Sequence, residues 1–145
     1  MRAMSREQIE KLLDALRRWS ESCEHVQGLA LVGSWAAGRE HAEADLDVVC
    51  IVNDPERFRA DATWMSEVDW PSAGLSVGHW TDVDYGTARS RHLKFGGGEE
   101  VEMSFVSPAW AEVCPVDPST RRVASDGMRV LHDPNGLLGR LLIAL

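Results

Sequence analysis

Apolar residues near the beginning of the chain recur at the spacing of an amphipathic helix. Five of them share this spacing: Ile9, Leu12, Leu13, Leu16 and Trp19. The spacing places them on one face of a helix over residues 5–19. Ser5, followed three residues later by Gln8, fits a capping box and predicts that the helix begins there.

Two short apolar runs follow, and both have the composition of buried strands. Gly28–Val32 is one run, and it leads directly into Gly33. Asp45–Val52 is the other; it is rich in β-branched residues and stops at a turn signal, Asn-Asp-Pro, at positions 53–55. The segment between the two strands, Trp35–His41, is predicted to be a short helix that the chain enters at Ser34.

The rest of the chain mixes helical and strand-like patterns. We predict a helical segment over Glu56–Glu67, a strand over Leu75–Trp80, a β-hairpin of His92–Phe95 and Val101–Val106, a helix over Pro118–Ala124, a strand over Met128–Leu131 and a closing helix from Asn135. This mixture within a short chain indicates an α+β fold, with a mixed β-sheet and helices packed on one face.

The composition is that of one globular domain spanning residues 1–145. With 44% apolar and 26% charged residues, the chain can bury a core without disulfides. No apolar run approaches the ~20 residues of a membrane span, and the N-terminus lacks the apolar region of a secretory signal, so we expect no membrane partner. The three spaced cysteines favour reduced thiols and a cytoplasmic location. A net charge of −8 argues against an extended nucleic-acid-binding surface.

Two aspartates at the start of the second strand are the first indication of a functional site. Side chains alternate along a strand, so Asp45 and Asp47 project from the same face, about 6.5–7 Å apart. Two carboxylates on one face repel each other unless a cation lies between them. Mg²⁺ prefers such oxygen ligands and completes its shell with phosphates and water.

A glycine and a serine upstream, and a glutamate downstream, extend this site. Gly33 allows close backbone approach, and Ser34 opens a helix whose first amides can receive an anion, which predicts a triphosphate site. Glu102 lies on the opposite face of its strand from Val101 and Met103. If that strand neighbours the aspartates, three carboxylates could hold two metal ions about 3.5–4 Å apart.

The spaced Gly-Ser and Asp-x-Asp resemble the nucleotidyltransferase superfamily typified by DNA polymerase β and the aminoglycoside nucleotidyltransferases. The resemblance covers about residues 25–106, and the tail over 126–134 is also similar to those of small bacterial members. It implies that Asp45 and Asp47 bind both Mg²⁺ ions, and that Glu102 binds the catalytic ion and helps to activate the acceptor hydroxyl. Gly33 and Ser34 would hold the triphosphate.

The sequence departs from the family pattern at two positions and leaves several neighbouring roles open. Ala44 replaces a common serine, and Trp35 stands where a basic residue often follows Gly-Ser, so Arg39 is the candidate for phosphate contact. Glu100 is the rival to Glu102 as the third acid. His92 and Lys94 share the face of Glu102 by alternation, whereas Arg91 has the opposite parity.

The expected function is metal-dependent transfer of a nucleoside monophosphate from an NTP, most simply ATP, to an acceptor hydroxyl of a small molecule, a protein or an RNA. The alternative is a non-catalytic or partner-dependent interaction module, such as the antitoxin half of a toxin–antitoxin pair. From the small size we expect no second domain that would hold an acceptor. We therefore expect a homodimer or a helical protein partner, which could use the apolar C-terminal segment Leu137–Leu145.

Overall fold

A computed structural model describes residues 4–38 and 45–145 of the chain. Its helices and strands, in chain order, are α1 (Arg6–Ser22), β1 (Val26–Val32), β2 (Leu46–Val52), α2 (Pro55–Ala60), α3 (Trp64–Glu67), β3 (Val77–Asp84), β4 (Ala88–Phe95), β5 (Glu100–Val106), α4 (Pro118–Asp126), β6 (Met128–His132) and α5 (Leu137–Ala144). Short 3₁₀ helices cover Trp70–Ala73 and Pro108–Ala111. No helix of the described residues is long and apolar enough to cross a membrane.

The described strands form one sheet in the order β3-β4-β5-β2-β1-β6. β2 and β5 are paired in parallel, whereas the other neighbours are antiparallel. The expected α+β class with a mixed sheet is therefore confirmed. Because parallel strands run in the same direction, β2 and β5 begin at the same end of the sheet. This places the acidic N-terminal part of each strand next to that of the other.

Alternation along the strands sends apolar side chains to both faces of the sheet. Leu29 and Val48 belong to a core cluster that also contains the buried face of α1, while Ala30 and Val49 belong to a second cluster that contains α5 residues. The helices therefore cover both faces rather than the single face expected from the sequence. The reason is that β1 and β2 are buried on both sides, a pattern typical of central strands.

The first helix begins as its sequence predicts and is longer than expected. The Ser5 hydroxyl accepts a hydrogen bond from the Gln8 amide at 3.0 Å, which caps the first turn. The Gln8 side chain does not complete the capping box. It donates instead to the Ala73 carbonyl at 3.0 Å and so ties α1 to the 3₁₀ helix at Trp70–Ala73.

Two predicted helices differ from the structure. The described part of Trp35–His41, which ends at Gly38, forms consecutive turns rather than a helix, and residues 39–41 lie outside the described residues. Gly38 has a φ of 76°, which a continuing helix does not allow. The segment Glu56–Glu67 is divided into α2 and α3, because the Asp61 carboxylate accepts a hydrogen bond from the Thr63 amide between them.

Candidate functional site

The parallel pairing of β2 and β5 brings two of the predicted acids side by side. Asp47 is the register partner of Glu102, and the next pair is Leu46 with Val101. Asp45 immediately precedes β2, and by alternation its side chain shares the face of Asp47. The three carboxylates that the sequence singled out therefore lie together at the end of the sheet where β2 and β5 begin.

Among these three carboxyl groups, that of Asp47 has a strongly raised pKa. Burial raises the pKa of the Asp47 carboxyl from 3.8 to about 6, the neighbouring Glu102 and Asp45 carboxylates add to the rise, and His92 opposes it. The carboxyl is thus held in an environment that penalises its negative charge. A positive charge bound between these groups would remove the penalty.

Gly33 packs directly against this carboxylate. It follows β1, whose last residue, Val32, is the register partner of Asp47. Gly33 has a φ of 78°, and a Cβ built on it would lie 2.6 Å from Oδ2 of Asp47. Only glycine leaves room for the acid here. After Gly33 the chain turns back, and the Ala37 amide donates to the Gly33 carbonyl at 3.1 Å.

The phosphate-binding part of the prediction has a different local structure from the one expected. Ser34 lies in the turns that follow Gly33, so the backbone amides available to an anion belong to a turn and not to the first turn of a helix. Arg39, the predicted phosphate contact, lies outside the described residues. Trp35 packs against the core cluster on the α1 side of the sheet.

A cavity of about 670 Å³ opens beside the carboxylates. Gly33, Asp47 and Glu102 line one part of it. The remainder is lined by strand residues and by the region from Trp110 to α4, which contributes Arg122. Small-molecule sites are commonly about 300–1,000 Å³, so the volume suits a nucleotide. The sequence contained no signal for Trp110 or Arg122, because they reach the site only through the packing of the tail onto the sheet.

His92 and Glu100, which the sequence left as neighbours of uncertain role, also reach this end of the sheet. His92 is the register partner of Glu102 across β4 and β5. Its Nε2 atom lies 3.6 Å from Oε1 of Glu100 and 3.7 Å from Oδ2 of Asp45. Glu102 is therefore next to Asp47 and Glu100 is next to Asp45. Both glutamates lie beside the aspartates, so proximity alone does not select one of them as the third acid.

Arg91 points to the opposite side of β4 and is part of the folded framework. Its side chain is almost fully buried, and its guanidinium pairs with Asp82 at 2.7 Å and donates to the Arg59 carbonyl at 2.9 Å. The guanidinium carbon also lies 5.1 Å from the centre of the Trp80 ring. These contacts account for the charge of Arg91 without a phosphate.

Comparison with known proteins identifies the family of this chain. The family model described as nucleotidyltransferase domain matches residues 9–96, which is more than half of the chain. The chain belongs to this family. The matched segment contains Gly33, Ser34, Asp45 and Asp47 and ends before Glu102. A search of curated proteins returns no match.

Solved structures resemble this chain at low sequence identity, and the first one named here shares its fold. An aminoglycoside 6-adenyltransferase from Bacillus subtilis is 16% identical, with a TM-score of 0.53, over 77% of this chain and 38% of that one. A cytoplasmic RNA terminal U-transferase is 18% identical over 72% of this chain and 31% of its own length, with a TM-score of 0.46. This chain thus spans about two fifths or less of the length of these proteins.

Proposed function

We propose that this nucleotidyltransferase-family chain transfers a nucleoside monophosphate from an NTP to an acceptor hydroxyl and releases pyrophosphate. The observation that carries the proposal is the pairing of Asp47 with Glu102 across β2 and β5, with Gly33 packed against Asp47. Acids on neighbouring strands beside a turn that begins with glycine suit a nucleotide bound as its metal complex. ATP is the proposed donor.

The residues present fit Mg²⁺. The raised pKa of Asp47 has carboxylate repulsion among its causes, and this repulsion is what a bound cation relieves. Asp45 and Asp47 would hold two ions and Glu102 one of them. When bound, the ions would neutralise the phosphates and stabilise the attacking and leaving oxygens.

The chain itself would position the reacting groups and receive a proton. Gly33 leaves the triphosphate free to approach the backbone, and Ser34 and Arg39 are proposed as further phosphate contacts. The acceptor oxygen forms a bond to the α-phosphorus while the bond from that phosphorus to the pyrophosphate oxygen breaks. Glu102 would accept or relay the proton of the acceptor hydroxyl. Most of the rate gain in such a transfer comes from positioning and electrostatics.

The cavity beside the site supports a nucleotide-sized ligand and leaves the acceptor class open among small molecules, proteins and RNA. Its wall combines apolar side chains with Arg122 and Trp110. We propose that residues 1–145 act as one domain, since both core clusters are built on one sheet. The buried, free Cys50 is consistent with the proposed cytoplasmic location.

The test is labelling of acceptors in a host lysate by the purified chain. The protein is incubated with Mg²⁺ and each α-labelled NTP in turn, and label transfer and pyrophosphate release are both measured. We expect one NTP to give both signals and Asp47→Asn to abolish them. The matched control is Glu112→Gln, which also removes one negative charge but from an exposed position. Equal transfer by the Asp47→Asn protein would refute the site.

A partner-dependent interaction module remains the second candidate, and the edge of the sheet favours it. Three exposed apolar residues lie on β3 or directly after it: Trp80, Val83 and Tyr85. Exposed apolar side chains on an edge strand often mark an interface. If an adjacent reading frame encodes a small helical protein, co-purification that survives Asp47→Asn but is lost in Tyr85→Ser would support this function.

A further inference from the structure

We propose that Asp45, His92 and Glu100 form a binding site for Zn²⁺, beside the Asp47–Glu102 pair and chemically different from a Mg²⁺ site. One ligand atom from each of the three side chains lies within 4.8 Å of the other two. The three residues come from different parts of the chain: Asp45 precedes β2, His92 is on β4 and Glu100 begins β5. The site does not require that the protein transfer nucleotides.

A buried imidazole nitrogen without a hydrogen-bond partner distinguishes this group from an ordinary acidic surface. Nε2 of His92 is buried and has no hydrogen-bond partner among the described residues. Its nearest carboxylate oxygens, at 3.6 and 3.7 Å, are too far for hydrogen bonds. A buried polar atom without a partner is costly. A metal ion placed between the three side chains would satisfy the nitrogen and both carboxylates together.

The distances suit a metal of this size. Zn²⁺ lies about 2.0–2.2 Å from nitrogen and oxygen ligands. Two ligand atoms separated by 3.6–3.7 Å subtend an angle of about 120° at such an ion, close to tetrahedral. All three ligand atoms lie within 4.8 Å of one another, and rotation of the partly exposed Asp45 side chain would adjust the separation of the two carboxylates. Three protein ligands leave the fourth position for water or a ligand oxygen.

The ligand types favour Zn²⁺ over Mg²⁺. An imidazole nitrogen is a preferred ligand of Zn²⁺ and other late transition metals, whereas Mg²⁺ selects oxygen. Two carboxylates, from Asp45 and Glu100, can balance the charge of one divalent cation. The Asp47–Glu102 pair contains only carboxylates. The chain thus carries two adjacent ligand sets of different metal preference, which share Asp45.

Lys94 supplies a competing charge whose removal is informative. Its ammonium lies 3.7 Å from Oε1 of Glu100, and about half of the side chain is exposed. A cation bound to Glu100 would repel this ammonium and push it towards solvent. Substitution of Lys94 by Gln should therefore strengthen Zn²⁺ binding, an effect opposite in sign to the loss of a ligand.

The test measures binding of the metal alone to the chain of residues 1–145 after chelator treatment. Calorimetric titration should give one Zn²⁺ per chain, bound at least about tenfold more tightly than Mg²⁺. Histidine side-chain NMR of the unmodified protein should show a shift of Nε2 of His92 on addition of Zn²⁺. We expect His92→Gln and Glu100→Gln each to weaken binding by about tenfold or more, and Lys94→Gln to strengthen it.

Two matched variants make the result decisive. His79→Gln removes an exposed histidine on the neighbouring strand, opposite Lys94, and should leave Zn²⁺ affinity unchanged. Asp47→Asn, which removes the proposed nucleotide site, should retain Zn²⁺. The proposal is overturned if no Zn²⁺ binds, if Nε2 of His92 does not shift, or if Asp47→Asn loses as much affinity as His92→Gln. A protein that binds Zn²⁺ but transfers no nucleotide would leave this site standing and refute the proposed function.

Discussion

The Asp47 carboxylate fills the space that a Cβ on Gly33 would need: such a Cβ would lie 2.6 Å from Oδ2 of Asp47. The two residues are held there by the antiparallel pairing of β1 and β2, in which Val32 is opposite Asp47. The glycine also has a φ of 78°, which L side chains rarely adopt. The turn and the carboxylate are therefore coupled, and a change at Gly33 has to displace the acid.

Gly33→Ala tests this coupling. We expect the free energy of unfolding to fall by about 1–3 kcal/mol, because a strained φ and a close contact add. The matched control is Gly86→Ala, since Gly86 has a φ of 84° but no described atom within 4 Å of an added Cβ. Urea denaturation should give a smaller loss for the control. A Mg²⁺–NTP-dependent rise in melting temperature should disappear only in Gly33→Ala; its survival there would contradict the coupling.

The raised pKa of Asp47 predicts how the stability of the metal-free protein depends on pH. The folded state holds the Asp47 proton up to a pKa of about 6, whereas the ordinary value is 3.8. Between these values the folded state binds more protons than the unfolded state, so stability falls as pH rises through this window. The full difference corresponds to about 3 kcal/mol, and solvent screening of the partly exposed carboxyl lowers this to about 1–2 kcal/mol.

Asp47→Asn should remove this penalty. We expect the metal-free variant to be about 1–2 kcal/mol more stable than the natural protein at pH 7.5 and nearly equal to it at about pH 4. Urea denaturation at the two pH values measures the difference, and Glu112→Gln controls for the loss of a charge. A variant that is less stable than the natural protein at pH 7.5 would show that the Asp47 carboxylate stabilises the fold.

Local patterns in the sequence were sufficient for the faces of the strands but not for the arrangement of the site. Alternation placed Asp45 and Asp47 on one face, and Glu102 opposite Val101, because side-chain direction depends only on the strand itself. The adjacency of β2 and β5 depends on the order of strands in the sheet, which the chain acquires only when the hairpin of β4 and β5 docks against β2.

The parts that the sequence did not predict depend on contacts between distant segments. The proximity of His92 to Asp45 requires two strand pairings at once. Trp110 enters the cavity through the 3₁₀ helix after β5, and no periodicity marks such a position. A helix was predicted over Trp35–His41, whereas the described part, Trp35–Gly38, forms turns. The segment is short and lacks a strong hydrophobic pattern, so local preference was a weak basis for predicting its structure.

Because Arg91 is buried, we expect substitution of its partner Asp82 to lower the stability of the fold strongly. The hydrogen bond from Arg91 lowers the pKa of the Asp82 carboxyl. Asp82→Ala leaves the guanidinium buried without its acid, and we expect a loss of about 1–3 kcal/mol. Because the pKa of Asp82 is lowered on folding, its contribution is present at neutral pH and declines as the pH falls through the acid range.

The control for Asp82 lies two residues further along the same strand. Asp84 pairs with Arg89, whose side chain is more exposed than that of Arg91, so Asp84→Ala should cost less than about 1 kcal/mol. Chemical denaturation at neutral pH compares the two variants. Equal losses would mean that burial of Arg91 contributes nothing to the strength of its ion pair.

Two residues of helix α5 differ in burial, so we expect their substitution to affect the free energy of unfolding differently. Leu138 is fully buried in the cluster on the face of the sheet that carries Asp47, whereas Ile143 is 87% exposed. Leu138→Ala should lower the free energy of unfolding by about 3–4 kcal/mol, because it leaves a cavity between α5 and the sheet. Ile143→Ala should change it by less than about 0.5 kcal/mol.

Because α5 has both buried and exposed residues, its role in assembly is best tested by a substitution at an exposed position. Truncation before Leu137 would remove the core residues Leu138 and Leu141 and unfold the chain, so it cannot report on association alone. Ile143→Ser keeps the core and changes only the surface. If α5 forms a homodimer interface, light scattering after size exclusion should give a dimer for the natural chain and a smaller mass for Ile143→Ser. An unchanged mass with unchanged stability would mean that α5 serves the core and not an interface of which Ile143 is part.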